Sequence, residues 1–443
     1  MTDPVVIVGG GLAASRLAEG LRGNGFTAPI TIISAEDHPP YDRPPLSKSV
    51  LLGEDDRVDL KPAEWYTEAG IELRLGTRVT AVDPENHTIT TELSSPPEPS
   101  SPPEPSSPPE PSSPPEPSSP PEPTSPPELV EGYGTLVLAT GLVPRAFPGA
   151  GGDLAGVHVL RTYDDAIALR EQLSDARTAV VIGAGFIGCE VAASLSKRGL
   201  TVSVVEPAAT PLAAALGETI GSFVARLHHE AGVTFHTGTG VTRLIPADSP
   251  RTTAPRIGAV ELDDGTTIPA DVVVVGIGGY PELAYLAGSG IELAARADGG
   301  GIACDTHGRT SAPNVYAIGD AANWADVQGN RHRVEHWNHT VEQSVIVAAD
   351  LAGQPAPAPT VPYFWTDQYD LKVQLLGSPR PDDEVHVVDD DGRKFLAYFS
   401  RNGLLTGVVG AGRAGKVMKT RPMLATPTPI TEVLPALADT ITG

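Results

Sequence analysis

The chain has 443 residues, enough for roughly two to four domains that each have a core. Its 31 Lys and Arg against 55 Asp and Glu give a formal net charge of −24, which disfavours binding to nucleic acids and anionic membranes. The only cysteines are Cys189 and Cys304, too far apart in sequence for a CxxC redox motif and too few for a disulfide framework. Because neither an apolar run of transmembrane length nor a signal-peptide pattern occurs, we expect a cytoplasmic protein.

Residues 4–36 have the pattern of a strand, a glycine-rich turn, a helix and a second strand. The continuous apolar run Val5 to Val8 predicts a buried parallel strand, and Gly9-x-Gly11-x-x-Ala14 follows it. Glycines at this spacing let backbone N–H groups approach a pyrophosphate at the N-terminus of the helix. This unit therefore predicts a dinucleotide site.

The same pattern returns at residues 179–206, with the turn Gly183-x-Gly185-x-x-Gly188 between an apolar strand and a predicted helix. A single dinucleotide site needs only one such unit. The repeat therefore predicts two separate nucleotide-binding domains in an α/β fold.

Each unit places an acid at the end of its second strand, where a carboxylate accepts hydrogen bonds from ribose hydroxyls. Glu206 ends the second unit, and Glu36 ends the first, although Asp37 is a neighbouring candidate. Because no arginine follows Glu206 in the next three residues, this carboxylate would repel a 2′-phosphate. The sequence therefore favours NADH over NADPH.

Residues 94–128 repeat Ser-Ser-Pro-Pro-Glu-Pro almost without error. Proline supplies no N–H group, and the segment has almost nothing apolar to bury, so we expect a disordered or polyproline II insertion. Predicted strands lie on both sides of it, at Thr88 to Leu93 and at Thr135 to Leu138, which indicates an enlarged surface loop. A Pro-rich ligand for another module is an open alternative.

From about residue 326, the sequence pattern changes to that of a separate module. An amphipathic helix is predicted from Val341 to Leu351, and a Pro/Ala-rich linker follows at 355–362. Alternating strands such as Phe395 to Phe399 then predict a C-terminal α+β module.

Three motifs carry a resemblance to a known family. They are Pro40-Tyr41-Asp42-Arg43-Pro44-Pro45-Leu46-Ser47-Lys48, Tyr316-Ala317-Ile318-Gly319-Asp320 and Phe364-Trp365-Thr366-Asp367-Gln368-Tyr369. They resemble the FAD- and NAD-dependent pyridine-nucleotide oxidoreductases of the glutathione-reductase fold. Within that family they are most similar to the NADH–ferredoxin reductases of Rieske oxygenase and bacterial cytochrome P450 systems.

The resemblance implies two Rossmann-like domains, for FAD and NADH, and a C-terminal α+β domain. The expected ranges are 1–149 and 279–325 for the FAD domain, 150–278 for the NADH domain, and 326–443 for the C-terminal domain.

The resemblance also implies a set of site residues. For FAD these are Gly9, Gly11, Ala14, Glu36, Arg43, Lys48, Thr140, Gly141, Arg145, Gly319, Asp320 and Trp337. For NADH they are Gly183, Gly185, Ile187, Gly188, Glu206 and Gly278. Lys48 is expected beside the flavin N5 edge and paired with Glu190, where its charge would stabilise the reduced ring. We predict these two as the catalytic residues.

Disulfide-reducing relatives carry cysteines after the first βαβ unit, but residues 41–52 contain none. We therefore expect an external electron acceptor and favour a ferredoxin. Rubredoxin, monodehydroascorbate, a quinone, oxygen and a redox-sensor role remain alternatives. No metal site is expected at the histidines His332, His336 and His339.

Ferredoxins are usually acidic, so a basic patch would steer their docking. The candidate docking residues are Arg331, Arg333, Arg413, Lys416, Lys419 and Arg421.

Overall fold

The computed structural model describes residues 3–94, 129–248, 255–331, 333–358 and 360–434. The predicted Pro-rich insertion, apart from Ser94, lies outside these residues, as does His332. The strands on either side of the insertion, Thr88–Leu93 and Leu129–Gly132, pair antiparallel with Thr91 opposite Leu129. The insertion therefore connects neighbouring strands of one sheet.

The first nucleotide-binding unit is built on a five-stranded parallel sheet. Its strands, in spatial order, are Val315–Ala317, Thr135–Leu138, Val5–Val8, Ile30–Ile33 and Ile71–Arg74. All four residues of Val5–Val8 are buried, as the apolar run predicts. The helix Leu12–Gly23 follows directly, so the glycine turn lies at the carboxyl edge of the sheet, where ligands of doubly wound folds bind.

The second unit repeats this design. Its strands, in spatial order, are Thr234–Thr237, Thr201–Glu206, Thr178–Ile182, Val272–Val275 and Val157–His158. Its helices are Tyr163–Gln172, Phe186–Lys197 and Ala213–Glu230. The predicted repeat of the βαβ unit is confirmed.

The C-terminal unit is a five-stranded antiparallel sheet with short helices. Its strands, in spatial order, are Tyr363–Gln368, Leu371–Gly377, Leu404–Ala411, Phe395–Arg401 and Glu384–Asp390. Its helices are Ala414–Lys419, Arg421–Leu424 and Ile430–Val433. Phe395 and Phe399 are fully buried in a core shared with the second unit, so this sheet is anchored to the nucleotide-binding part of the chain.

The helix Trp337–Leu351, which the sequence analysis grouped with the C-terminal module, packs against Leu12–Gly23 of the first unit. Val347 and Ala348 belong to the core of that unit. The two helices approach closely at Gly20, where an added Cβ atom would lie 2.9 Å from the Cβ atom of Ala348. We therefore propose that the C-terminal unit begins after this helix.

The remaining elements are short. The helices and 3₁₀ turns are Pro44–Ser47, Ser49–Leu52, Ala63–Glu68, Ala284–Leu286, Arg296–Asp298 and Gly319–Ala321. The remaining strands are Thr77–Asp83, Val143–Pro144, Val241–Pro246, Ile257–Leu262, Thr267–Pro269, Gly279–Tyr280, Ile302–Cys304 and Ala322–Trp324. Together the units form the predicted α/β fold with two Rossmann-like domains and a C-terminal α+β domain. No helix among the described residues is long and apolar enough to cross a membrane.

Candidate functional site

A cavity of about 660 Å³ runs from the first glycine turn to the C-terminal unit. The predicted residues that line it are Gly9, Gly11, Glu36, Arg43, Lys48, Thr140, Gly141, Ile187, Glu190, Gly319, Asp320 and Trp337. They come from segments that are far apart in sequence, and the fold brings them to one site. Ile187 was predicted for NADH, and its presence here shows that the helix of the second turn reaches this cavity.

The first turn is shaped for a close backbone approach. Gly9 has a φ of +114°, and an added Cβ atom would lie 2.2 Å from the carbonyl oxygen of Ala139. Gly11 is the N-cap of the helix Leu12–Gly23, and no side chain caps the free N–H groups there. Those N–H groups are therefore available to an anionic ligand such as a pyrophosphate.

Glu36 is held at the edge of the cavity by two donors. Arg43 Nη2 donates to its Oε1 atom at 2.7 Å, and the Tyr41 hydroxyl donates to its Oε2 atom. Burial raises the pKa of Tyr41, so its hydroxyl stays protonated and remains a donor. Asp37, the alternative candidate, is not among the residues that line the cavity.

An arginine that the sequence analysis missed lies opposite Asp320. Arg161 lines the cavity, and its Nη2 atom lies 3.1 Å from Asp320 Oδ2. Arg43 Nη1 donates to the Arg161 carbonyl oxygen. Burial, and then the charge of Arg43, lower the pKa of Arg161. Thr162 and Asp165 form a capping box after it, which marks a helix start in the sequence but does not identify Arg161 as a site residue.

Lys48 and Glu190 form the predicted pair. Lys48 Nζ lies 2.6 Å from Glu190 Oε2, and the Glu190 side chain is only 4% exposed. The Ser47 hydroxyl donates to the same oxygen at 2.6 Å, and the Thr366 hydroxyl donates to Oε1 at 2.7 Å. The buried carboxylate therefore has hydrogen-bond donors on both oxygens, as a buried carboxylate requires.

Two tryptophans close the end of the cavity that faces the C-terminal unit. Trp337 and Trp365 both line it, with ring centroids 6.0 Å apart in an edge-to-face arrangement. Trp337 Nε1 donates to Asp42 Oδ1 at 2.9 Å, which fixes the indole beside the motif that carries Lys48. The tryptophans are therefore part of the site and not only of a core.

The second turn repeats the first at a different place. Gly183 has a φ of +98°, and an added Cβ atom would lie 2.4 Å from the carbonyl oxygen of Gly276. Gly185 is the uncapped N-cap of the helix Phe186–Lys197. Glu206 lies beside this turn, because its carboxylate accepts the backbone N–H groups of Ala184 and Ala208 at 2.7 and 2.9 Å.

Other predicted residues take positions outside the cavity. Ala14 is fully buried in the helix Leu12–Gly23, where it packs in the core. The Arg145 guanidinium lies 5.3 Å from the ring centre of Tyr280, and its backbone N–H donates to the Gly278 carbonyl oxygen. Gly188 packs against the second turn, where an added Cβ atom would lie 2.0 Å from the Gly183 carbonyl oxygen.

The two thiols have the character of packing residues. Cys189 and Cys304 are both free and fully buried, and burial raises the pKa of both, that of Cys304 to about 12. Neither thiol lines the cavity. Among the described residues, no group of three or more His, Cys, Asp or Glu side chains could hold a metal ion.

The residues present fit FAD. The first turn offers uncapped N–H groups for a pyrophosphate, and Glu36 and Asp320 offer acceptors for hydroxyl groups along the cavity. The Nε atom of Arg161 is a buried donor that has no hydrogen-bond partner among the described residues. A polar ligand in the cavity would satisfy that donor, which is otherwise costly to bury.

Comparisons with known proteins agree with this geometry. Residues 3–344 match the family described as pyridine nucleotide-disulphide oxidoreductase, and residues 363–441 match the family described as reductase C-terminal. The chain is 38% identical to the ferredoxin–NAD(+) reductase component of the anthranilate 1,2-dioxygenase system of Burkholderia cepacia. That match covers 90% of this chain and 88% of the relative.

Two solved structures have the same fold over nearly the whole chain. The ferredoxin reductase for the CYP199A2 system of Rhodopseudomonas palustris superposes with a TM-score of 0.82 at 32% identity, covering 96% of each chain. Putidaredoxin reductase, in its covalent complex with putidaredoxin, superposes with a TM-score of 0.82 at 29% identity, covering 95% of this chain and 93% of the reductase. With the glycine turns, the Lys48–Glu190 pair and these matches in agreement, the chain belongs to the pyridine nucleotide-disulphide oxidoreductase family.

Proposed function

We propose that this protein oxidises NADH and passes the electrons through bound FAD to a ferredoxin that serves an oxygenase or a cytochrome P450. The relatives named above are ferredoxin reductases of such systems. The observation that carries the proposal is the cavity itself. It is lined by a lysine, its buried glutamate partner and two tryptophans, and none of the described residues that line it is a cysteine. Such a site suits an external acceptor better than an internal disulfide.

FAD, when bound, accepts two electrons together as a hydride and releases them one at a time, which matches a two-electron donor to a one-electron iron–sulfur acceptor. The N–H groups of the first turn and Glu36 would hold this cofactor. Asp320, aligned by Arg161, would accept hydrogen bonds from its hydroxyl groups farther along the cavity. We assign Thr140, Gly141 and Gly319 to the walls of the same site.

The second turn would bind NADH through its own uncapped helix N-terminus, with Glu206 receiving the ribose hydroxyls. Ile187 lies two residues after this N-terminus and lines the cavity. The nicotinamide end of NADH would therefore reach the cavity along the start of this helix. The cytoplasm is the compartment that we propose, because NADH is a cytoplasmic reductant.

Lys48 would place a positive charge where negative charge develops during hydride transfer. Its ammonium group also donates to the Pro44 carbonyl oxygen at 3.0 Å, so two fixed acceptors orient it. Glu190 is therefore a catalytic candidate through its direct contact with the Lys48 ammonium group inside the cavity.

For docking, we propose the surface around the edge of Trp337. The Arg16 guanidinium lies 5.7 Å from the Trp337 ring centre, and Arg16 and Lys61 share a single carboxylate, Glu19. These three side chains therefore carry one net positive charge, next to the Asp42 carboxylate that accepts a hydrogen bond from Trp337 Nε1. Arg421 lies near Glu342 of the helix that begins at Trp337, and Lys419 is exposed, so we keep both as further candidates for this surface.

The other predicted docking cations are engaged within the protein. Arg331 donates to the carbonyl oxygens of Cys304 and Asn323, and Arg333 donates to those of Gly299 and Asp320. We therefore leave these two arginines out of the proposed surface.

Arg413 and Lys416 also have partners within the C-terminal unit. They form ion pairs with two aspartates of the neighbouring strands and loop, Asp389 and Asp391. Their positive charges are therefore balanced locally, and we leave them out of the surface as well.

Cytochrome c reduction by the yellow holoprotein with NADH, measured with and without a ferredoxin, tests the proposed function. We expect strong stimulation by ferredoxin and little hydrogen peroxide. Equal rates without ferredoxin, or oxygen as the main electron sink, would contradict the proposal and favour an oxidase or a redox sensor.

The docking surface has its own test. Reversing both charges in Arg16→Glu/Lys61→Glu should raise the KM for ferredoxin about tenfold and weaken its dependence on salt. Arg243→Glu/Lys197→Glu, which changes the net charge by the same amount, is the matched control, since both residues are exposed and belong to the second unit, where Arg243 pairs with Glu261. An equal change in both proteins would show that net charge, and not this surface, controls docking.

A further inference from the structure

A continuous chain of side-chain hydrogen bonds extends from the Lys48–Glu190 pair into the C-terminal unit. Its members beyond Glu190 come from the strand Tyr363–Gln368, the turn after it and the helix Ala213–Glu230. Thr366 Oγ1 lies 2.7 Å from Glu190 Oε1, and Gln368 Nε2 lies 3.0 Å from Thr366 Oγ1. Farther along, His228 Nε2 lies 2.9 Å from Gln368 Oε1, and the Tyr369 hydroxyl lies 2.8 Å from His228 Nδ1. None of these four residues lines the cavity.

The carboxylate of Glu190 sets the direction of every bond in this chain. A carboxylate only accepts, so the Thr366 hydroxyl donates to it and accepts from the amide nitrogen of Gln368. The Gln368 oxygen then faces His228, whose Nε2 atom must carry the proton. Nδ1 of His228 is left as an acceptor for the hydroxyl of Tyr369. Each donor therefore points toward Glu190.

Most side chains in this chain of hydrogen bonds are buried. Thr366, Gln368 and His228 are 1%, 0% and 0% exposed. Burial lowers the pKa of His228 to about 4 and raises that of Tyr369, so His228 is neutral and Tyr369 stays protonated, as the bond directions require. A fully satisfied polar chain in a buried region restricts its members to one arrangement.

Tyr369 occupies a strained backbone position. It is the first of the two residues that join the strands Tyr363–Gln368 and Leu371–Gly377, and its φ is +62°. Two-residue hairpins usually place Gly, Asn or Asp at this position, because these residues tolerate a positive φ better than the others do. The Tyr369 ring also packs edge-to-face on His228, with centroids 5.1 Å apart. The side chain is therefore retained at a site where its backbone is unfavourable.

We propose that Thr366, Gln368, His228 and Tyr369 are positioning residues that hold the Glu190 carboxylate and, through it, the Lys48 ammonium group. The inference rests on the proposed function, in which Lys48 stabilises the reduced flavin. Without the Thr366 hydroxyl, Glu190 Oε1 keeps only the backbone N–H of Asp367 at 3.3 Å. The carboxylate would then rotate, and the lysine charge would move with it.

The decisive measurement is the midpoint potential of the bound flavin, together with the rate at which NADH reduces it in a single turnover. Thr366→Val keeps the shape of the side chain and removes the donor. We expect a potential about 30 mV lower, which is a tenfold change in the two-electron equilibrium constant, and a correspondingly slower reduction. Thr366→Ser restores the donor and should return both values close to those of the wild type.

Thr420→Val is the matched control, because Thr420 is a buried threonine of the same unit whose hydroxyl donates to a backbone carbonyl outside the chain of bonds. It should lower the melting temperature without moving the potential. A wild-type potential in Thr366→Val would overturn the proposal, whatever its melting temperature. An equal shift in Thr366→Ser and Thr366→Val would also overturn it.

Tyr369→Phe keeps the proposal testable if Thr366→Val loses FAD. It removes only the far end of the chain, and we expect a shift in the same direction of about threefold in the equilibrium constant. A lower melting temperature with an unchanged potential would mean that Tyr369 is only structural, and the proposal would fail. Because no ferredoxin takes part, failure of the ferredoxin proposal would leave these readouts intact.

Discussion

The two glycine-rich turns share the spacing of their first two motif glycines but differ at the third motif position, which is Ala14 in the first turn and Gly188 in the second. In both, the first glycine has a positive φ and lies against a backbone carbonyl of the adjacent strand end. In the first turn the third position is Ala14, whose methyl group is buried without a clash. In the second turn a Cβ atom at Gly188 would lie 2.0 Å from the Gly183 carbonyl oxygen.

The difference teaches that the glycines of such a motif have separate physical tasks. The first allows the tight turn, and the third sets how closely the helix packs on the turn. The acids after the second strands differ as well. Glu36 is bound by the side chains of Tyr41 and Arg43, whereas Glu206 is bound by backbone N–H groups beside its own turn.

The largest expected effect lies where the two units meet. Lys48 comes from the first unit and Glu190 from the second, so the Lys48→Met substitution removes the charge that joins them. We expect NADH to reduce the flavin about 100-fold more slowly, since a preorganised charge at a reacting group typically contributes this much. Stopped-flow absorbance of the flavin measures the rate. Lys197→Met, on the far end of the helix that carries Glu190, is the control.

Substitutions at Gly188 and Ala14, the third motif positions of the two turns, should have different effects. Gly188→Ala should raise the KM for NADH at least tenfold, because the turn must shift to accommodate the new methyl group. The reverse change in the first turn, Ala14→Gly, should cost only about 1 kcal/mol of stability and leave the KM for NADH unchanged. Thermal unfolding and NADH titration test both variants. Similar effects of the two changes would show that the turns are equivalent after all.

Substitutions at Glu206 and Glu36 should differ in their effect on nucleotide preference, and this difference is expected to be smaller. Glu206→Gln removes the charge that would repel a 2′-phosphate, so the preference for NADH over NADPH should fall about tenfold. Glu36→Gln should change FAD content and leave this preference where it was. The ratio of kcat/KM for the two nucleotides is the measurement. A loss of preference in Glu36→Gln would reverse our assignment of the two sites.

The smallest effect concerns acid stability, which we expect to depend on the second unit. Burial lowers the pKa of His228 to about 4 in the folded protein. Between pH 6.5 and about 4, this histidine is therefore protonated in the unfolded chain but stays neutral in the folded protein. Stability should therefore fall as the pH drops from 6.5 toward 4, by about 1 kcal/mol at pH 5.5 from this residue alone.

His228→Gln, which keeps a hydrogen-bonding group but cannot be protonated, should flatten this dependence in denaturant unfolding at pH 7 and pH 5.5. His307→Gln is the control, because His307 is only partly buried and lies outside the helix that carries His228. If both variants keep the slope of the wild type, His228 does not carry the acid sensitivity.

The fold and much of the site followed from local sequence patterns. The run Val5–Val8 is continuous and apolar because both faces of a parallel sheet are covered, and the glycine turn after it needs backbone freedom that few residues allow. These requirements are local, so they are visible in a short stretch of chain. The resemblance then pointed to Lys48 and Glu190, which the structure brings within 2.6 Å.

Other parts of the site had no such signal. Arg161 precedes a helix start and gives no local indication of Asp320, which lies 159 residues later. The sequence of the helix Trp337–Leu351 is amphipathic, but amphipathicity alone does not indicate which hydrophobic core the helix packs against. Gly20 and Ala348 decide that, because their small size allows the two helices to approach.

By itself, the sequence determined the βαβ units, the acids at their ends, the absence of cysteine from residues 41–52 and the C-terminal strands, because backbone geometry and burial leave short-range patterns. Only the tertiary structure decided which cations are paired, where the final helix of the first unit packs and how Glu190 is held. Those outcomes depend on contacts between distant segments, such as the hydrogen bond that joins Thr366 of the C-terminal unit to Glu190 of the second unit.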